Sequence, residues 1–320
     1  MEETNKSKLD VTSLLMPEEE FVKLCDKITV PEEEIEKYKK ARKSVKRITT
    51  AMFTGMIIGV ILFIVGPIAL IPLGMMLFFV SAASGMIFIH IKRYKWENFK
   101  AKHSNEIVAE LLKGYKHIYK QDEWIGPWIL KESRFVSSCY DTCYGEDLLI
   151  INIPNDDGTP SDVQMVLCDA KATETTTDMD GDRHTHTRYD GVIGYVKFPF
   201  CFKCNLGLNA YADHTEKLST EDVEFNNKFA VFTDDKVEAM CILTPEFMQK
   251  LKAYAGKNRL LRFNMFRDGT LYFGMNKHLF MLEISKHGPS GKMFKNFYSD
   301  IYNILLFVNE IKNNDKIFKM

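Results

Sequence analysis

The sequence predicts an α+β protein: N-terminal polar helices, a two-helix transmembrane hairpin, then a mixed cytoplasmic domain of antiparallel strands with flanking helices. Three observations predict it. Residues 48–91 contain no Lys, Arg, Asp or Glu, and Gly66, Pro67 and Pro72 interrupt that run only near its middle. Basic residues crowd both of its flanks. Beyond it, about 190 residues alternate between the two-residue spacing of strands and the three-to-four-residue spacing of helices, enough chain for one core. With 42 Lys and Arg against 43 Asp and Glu in 320 residues, there is no basic excess of the kind that nucleic-acid binding needs. A chain 46% hydrophobic and 27% charged is not a disordered one. Seven thinly spread cysteines fit a reducing compartment better than a disulfide scaffold.

In chain order, Pro17 precedes Glu18, Glu19 and Glu20, and Pro31 precedes Glu32, Glu33 and Glu34. Proline followed by acids in the first turn is a helix-start signal twice over. Lys and Arg fill the end of the second helix, which runs on into the apolar stretch. That stretch reads as two spans, 48–65 and 73–91, of 18 and 19 residues. At about 1.5 Å per residue each reaches close to the ~30 Å hydrocarbon core of a bilayer. Lys37, Lys39, Lys40, Arg42, Lys43, Lys46 and Arg47 precede the first span, and Lys92, Arg93, Lys95, Lys100 and Lys102 follow the second. Positive charge stays on the cytoplasmic side, so both termini are expected in the cytoplasm and the chain in the inner membrane. Gly55 with Gly59, and Ser81 with Gly85, give small-residue spacings that allow close helix contact. His90 alone is ionisable within the spans, which argues against a pump or proton-coupled carrier. The expected divisions are 1–47 (helical, cytoplasmic), 48–91 (hairpin), 92–123 (amphipathic helix) and 124–320 (α+β domain).

After the membrane, Ser104 is placed to cap a helix with Ile107, Leu111, Tyr115 and Ile118 on one stripe. Strands are expected over 147–153 and 161–173 around the turn 155–158, over 191–202 and 203–210, and over 228–232. Residues 173–187 form the polar tip of a long hairpin. Thr244 and Pro245 start a helix bearing Phe247, Leu251 and Tyr254. Residues 259–266 and 270–275 form a hairpin about Arg267-Asp268-Gly269, and 292–311 a closing helix with Phe294, Phe297, Tyr298, Ile301, Leu305 and Val308 inward.

Chemistry is less visible. Cys201 and Cys204 make a C-x-x-C, His184 and His186 an H-x-H, and Cys139 and Cys143 are four apart. Structural zinc needs four converging ligands, and an odd offset on a strand sends two thiols to opposite faces, so no metal or other cofactor is expected. Counted from Asp178, the sixth position is Arg183 and the twelfth Tyr189, which fails the calcium-loop pattern. No nucleophile elbow, phosphate loop or zinc-protease helix occurs. No catalytic residue is assigned. A buried Cys and His cluster around a cavity would favour a membrane-tethered thiol- or metal-dependent enzyme. Separated thiols with an exposed apolar groove would favour a binding or scaffold module, which is the preferred reading.

The run from Glu224 to Ala239, Glu-Phe-Asn-Asn-Lys-Phe-Ala-Val-Phe-Thr-Asp-Asp-Lys-Val-Glu-Ala, followed by Ile242-Leu243-Thr244-Pro245-Glu246-Phe247-Met248, is specific. It resembles the bacterial membrane-protein family catalogued as domain of unknown function 3137. Tyr189-Asp190-Gly191-Val192-Ile193-Gly194-Tyr195 is similar to that family's Phe-x-Gly strand, and Met240-Cys241 stands where members often have Arg-Tyr. The resemblance implies topology and location and leaves chemistry open. Asp234, Asp235, Thr244 and Pro245 are its candidate binding residues, although a strand-end turn and a helix cap are the preferred reading of them. The expected partners are the lipid bilayer and a protein partner or second copy, with no nucleic acid.

Overall fold

The computed structural model describes residues 11–27, 32–65, 71–136, 140–155, 157–210, 215–256, 261–276, 278, 291–314 and 316–318. They form two compact units. One comprises Met1–Val22, Asn105–Met281 and Lys292–Met320; the other comprises Lys23–Ser104 and Leu282–Gly291.

The second unit is built on two long helices, α2 (Glu32–Val65) and α3 (Ile71–Leu111), preceded in the chain by α1 (Glu18–Lys27). The two long helices meet where side chains vanish. A Cβ on Gly59 would lie 2.7 Å from the Gly74 carbonyl oxygen, and one on Gly85 would lie 2.5 Å from the Met52 sulfur. Gly59 against Gly74 and Met52 against Gly85 make the pair antiparallel. Their outer residues are bare: Phe53, Ile57, Ile61 and Ile64 on α2 and Met76, Phe79, Met86 and Ile87 on α3 are all more than half exposed. Among the described residues, Lys46–Ile64 has the length and apolarity to cross a membrane, while Pro72–Ile87 is a shorter apolar run.

The helix expected to begin at Ser104 does not begin there. The segment from 92 to 104 has no Gly or Pro, so α3 continues through Ser104 and stops at Leu111, and a turn through Gly114 follows. Ile118 therefore leaves the helical stripe and lies in β1 (His117–Lys120), opposite Ile150.

Among the described residues the first unit holds one nine-stranded sheet in the order β1-β2-β3-β4-β9-β8-β5-β7-β6, every pairing antiparallel. Its other strands are β2 (Thr142–Asn152), β3 (Gln164–Thr177), β4 (Arg183–Lys197), β5 (Leu206–Leu208), β6 (Glu216–Leu218), β7 (Val231–Thr233), β8 (Leu261–Phe266) and β9 (Thr270–Met275). The expected hairpin is β8–β9; of the expected polar tip 173–187, residues 173–177 and 183–187 extend the β3–β4 ladder and only 178–182 form the turn. Gly269, at φ +86°, makes the β8–β9 turn and abuts the Phe198 and Phe200 carbonyls, where any side chain would clash.

Three expected strands are shorter than the sequence suggested. The 191–202 strand ends at Lys197, because Phe198 N–H bonds the Gly269 carbonyl and Pro199 has no N–H for the ladder. Residues 199–205 form a loop, so the expected strand over 203–210 is reduced to β5. The strand over 228–232 shrinks to β7, because Asp222 caps a helix, α5 (Val223–Lys228), by accepting from Phe225 N–H. Lys228 then donates to the carbonyls of Lys252 and Gly256 at the end of α7 (Pro245–Ala255).

Two more short helices escaped the sequence pattern: α4 (Trp128–Glu132) and α6 (Lys236–Ile242). The closing helix is α8 (Gly291–Lys312). Its Phe307 ring meets Phe263 of β8 at 5.9 Å, Phe273 of β9 at 6.4 Å and Tyr254 of α7 at 5.8 Å. Ile301, Leu305, Val308 and Ile311 are fully buried, each contributing about 1.5–3 kcal/mol relative to exposure. On the opposite face α4 lies over Cys168, Ala170, Ala172, Tyr189 and Ile193.

Candidate functional site

The four residues singled out in the sequence occupy two structural devices. Asp235 is the N-cap of α6, its carboxylate accepting from Val237 N–H and Glu238 N–H at 3.1 Å each. Thr244 is the N-cap of α7, its hydroxyl accepting from Phe247 N–H at 3.3 Å, with Pro245 in the first turn. Asp234 does something else. It accepts from Asn205 N–H at 2.9 Å, Asn205 Nδ2 at 2.8 Å and Arg267 Nε at 2.8 Å, fastening the loop before β5 to the β8–β9 turn. Burial opposes its ionisation, but the Arg267 guanidinium and the Asn205 N–H outweigh that and hold the carboxyl below its usual range. Arg267 also donates through Nη1 to the Lys203 carbonyl at 2.6 Å. A carboxylate so saturated is a clasp with little capacity left for a ligand.

The thiols are separated. Cys201 and Cys241 are exposed, while Cys204 and Cys168 are buried. Burial pushes the Cys204 thiol up to about 11 and the Cys168 thiol up to about 12, away from the thiolate that nucleophilic chemistry requires. Cys139 lies outside the described residues. His184 Nε2 stands 3.1 Å from Asp178 Oδ2 at the β3–β4 tip, where Asp178 also accepts from Asp180 N–H and Asp182 N–H to shape the turn. Among the described residues no group of three or more His, Cys, Asp and Glu is gathered for a metal.

A cluster that the sequence did not disclose forms where β3, β4 and the chain after β9 meet. Asp169 and Lys171 share a face of β3, with Val192 and Asp190 of β4 opposite them in register. His278 lies with Nδ1 3.3 Å from Asp169 Oδ2 and Nε2 2.7 Å from Asp190 Oδ1, and Lys171 bonds Asp190 at 3.1 Å. The Asp169 contact outweighs burial and, with Asp190, pushes the imidazole up to about 9. With both ring nitrogens on carboxylates, the side chain is an imidazolium clamp, and neither nitrogen is available as a general base. Period-two spacing could place Asp169 beside Lys171, but nothing local ties either to a histidine more than a hundred residues on.

The α4 face carries a row of apolar and aromatic residues. The pairings align Ile118, Ile150, Val166, Tyr195 and Tyr272 in one row across β1, β2, β3, β4 and β9. Trp128 packs on Tyr195 with centroids 5.6 Å apart, Tyr195 lies 6.2 Å from Tyr272, and Tyr272 lies 5.7 Å from Phe266, over which the Arg134 guanidinium sits at 5.4 Å. Ile118 is 51% and Trp128 44% exposed, while Val166 at the middle of the row is buried, so apolar exposure on this face is concentrated at Ile118 and Trp128. Trp128 meets Tyr195 and Phe266 meets Tyr272 edge to face, while Tyr195 and Tyr272 are tilted, and such amphipathic rings suit a protein contact. Residues 187–313, from within β4 to the end of α8, match the sequence profile of a family described as a protein of unknown function, DUF3137. No curated protein and no solved structure matches the chain.

Proposed function

We propose that this chain, which belongs through its residues 187–313 to the domain of unknown function 3137 family, is a two-span membrane-anchored binding module of the bacterial inner membrane. The hairpin 48–65 and 73–91 crosses the bilayer, both termini face the cytoplasm, and the α+β unit docks a protein partner on its open sheet face. The observation that carries the reading is the arrangement of α2 and α3, which turn their glycines toward one another and large apolar residues such as Ile57, Ile64, Met76 and Phe79 outward. A helix pair in water would reverse that pattern, burying the branched side chains, because each exposed one forgoes about 1.5–3 kcal/mol of burial. The exposed Ile118 and Trp128 on that face support the docking role. The buried, strongly protonated thiols and the doubly occupied His278 weigh against the enzyme alternative.

Ala69→Cys, between the two proposed spans in the sequence, should react with an impermeant maleimide on intact cells whose outer membrane has been permeabilised. Reporters active only in the cytoplasm should work at either terminus. Labelling of that cysteine only after lysis would overturn the orientation, and recovery of the wild-type chain in the supernatant after alkaline extraction would overturn the anchor itself.

A further inference from the structure

We infer that the outer face of α2, just before its apolar stretch, is a binding site for anionic phospholipid headgroups. Lys43, Lys46 and Arg47 are exposed and stand three and four residues apart, so one helix face gathers them. Among the described residues none of the three pairs with a carboxylate. Like charges at that spacing repel and destabilise a helix in water. An anionic surface turns the same cluster into an attraction.

The orientation of the cluster identifies the surface. At about 100° per residue, Lys43, Lys46 and Arg47 fall roughly 140–240° around the helix from Gly59, which faces α3. Ile57, Ile61 and Ile64 fall about 140–200° from Gly59 on the same count. These isoleucines are 58%, 55% and 70% exposed. One outward stripe of a single unbroken helix is thus basic and then apolar along its length, matching the order of headgroups and hydrocarbon in a leaflet. All three charges lie within about 8 Å of Ile48 along the axis, comparable to the headgroup layer on one side of a ~30 Å core and to the Debye length at physiological salt. The Thr50 and Thr54 hydroxyls on this side bond back to the Lys46 and Thr50 carbonyls, so the crossing from charge to hydrocarbon leaves no hydroxyl donor unmet.

This inference rests on the membrane reading, and one experiment separates the two. The full chain is reconstituted in phosphatidylcholine vesicles, and its association with spin-labelled phosphatidylglycerol is compared with that of spin-labelled phosphatidylcholine. The wild type should prefer the anionic lipid by about fivefold or more, the factor that one interfacial charge supplies. The triple variant Lys43→Gln, Lys46→Gln, Arg47→Gln should lose at least half of that preference, with flotation and helicity unchanged, while Lys43→Arg with Lys46→Arg should keep it. Equal preference in the wild type and triple variant defeats the headgroup site and leaves the anchor standing. Failure of the wild type to float with any vesicle defeats the anchor. Sodium chloride and inorganic phosphate at matched ionic strength should weaken the preference alike; stronger competition by phosphate would assign the site to a free anion and overturn the lipid reading.

Discussion

At the scale of single residues, the motif that made the sequence recognisable is a set of caps and one clasp. Thr244 and Asp235 each satisfy N–H groups that a helix start leaves open, so Thr244→Ala and Asp235→Ala should each cost about 1 kcal/mol of domain stability, read as a lowered melting temperature. Any loss of partner capture should follow that lowering. Capture lost by Asp235→Ala at an unchanged melting temperature would make the motif a binding site after all. His278 makes a pH-dependent prediction. Its imidazole rises from an ordinary 6.5 to about 9 between Asp169 and Asp190, so the folded state binds the proton more tightly than the unfolded chain. The stabilisation is complete below pH 6.5 and disappears as pH climbs through 9. The melting temperature of the wild type should therefore exceed that of His278→Gln at pH 6, and the gap should close by pH 9.5; a constant gap would show that the clamp works by packing alone.

Elements were legible wherever the signal was local. Arg267-Asp268-Gly269 between two apolar runs announces β8–β9, and Thr244-Pro245 announces α7, because turn and cap chemistry is decided within a few residues. The stop of α3 was not legible. Ser104 has the chemistry of a cap, yet a cap acts only where a helix ends, and no Gly or Pro ends this one before Gly114. Helices α4, α5 and α6 are five, six and seven residues long, too short to show a hydrophobic period. The α2–α3 pairing gives a test at this scale. Met52→Cys with Gly85→Cys should form a bridge under an added oxidant, because the two Cβ positions lie 2.9 Å apart and need only open to the ~3.8 Å of a disulfide. Adding Gly59→Leu should sharply reduce the bridge, since even a Cβ there meets the Gly74 backbone. Undiminished bridging would mean that the glycine contact does not set the pairing.

At the scale of the whole molecule, the sheet brings together what the chain keeps apart. Its row from Ile118 to Tyr272 joins five strands spread over more than 150 residues. If that face is the docking surface, Ile118→Glu should abolish partner crosslinking while shifting stability by no more than about 0.5 kcal/mol, the usual range for exposed positions; Trp128→Ala should abolish it beyond what its lowered melting temperature explains, since the ring packs on Tyr195 and Nε1 donates to the Ile125 carbonyl. Val237→Glu, a change at a still more exposed position on α6, should leave crosslinking intact. The reverse pattern would move the surface to the family motif.

The sequence by itself determined the properties carried by neighbours along the chain: an uncharged 44-residue run between basic flanks, the helix starts at Pro17, Pro31 and Thr244, and the β8–β9 turn. It also carried the family likeness, whose diagnostic residues are those same caps and turns. Only the tertiary structure decided which strands adjoin, because antiparallel partners are chosen by register across a sheet and not by nearness in sequence. That choice made β4 the neighbour of both β3 and β9, put His278 between two aspartates, and aligned Ile118, Ile150, Val166, Tyr195 and Tyr272 on the face that carries α4.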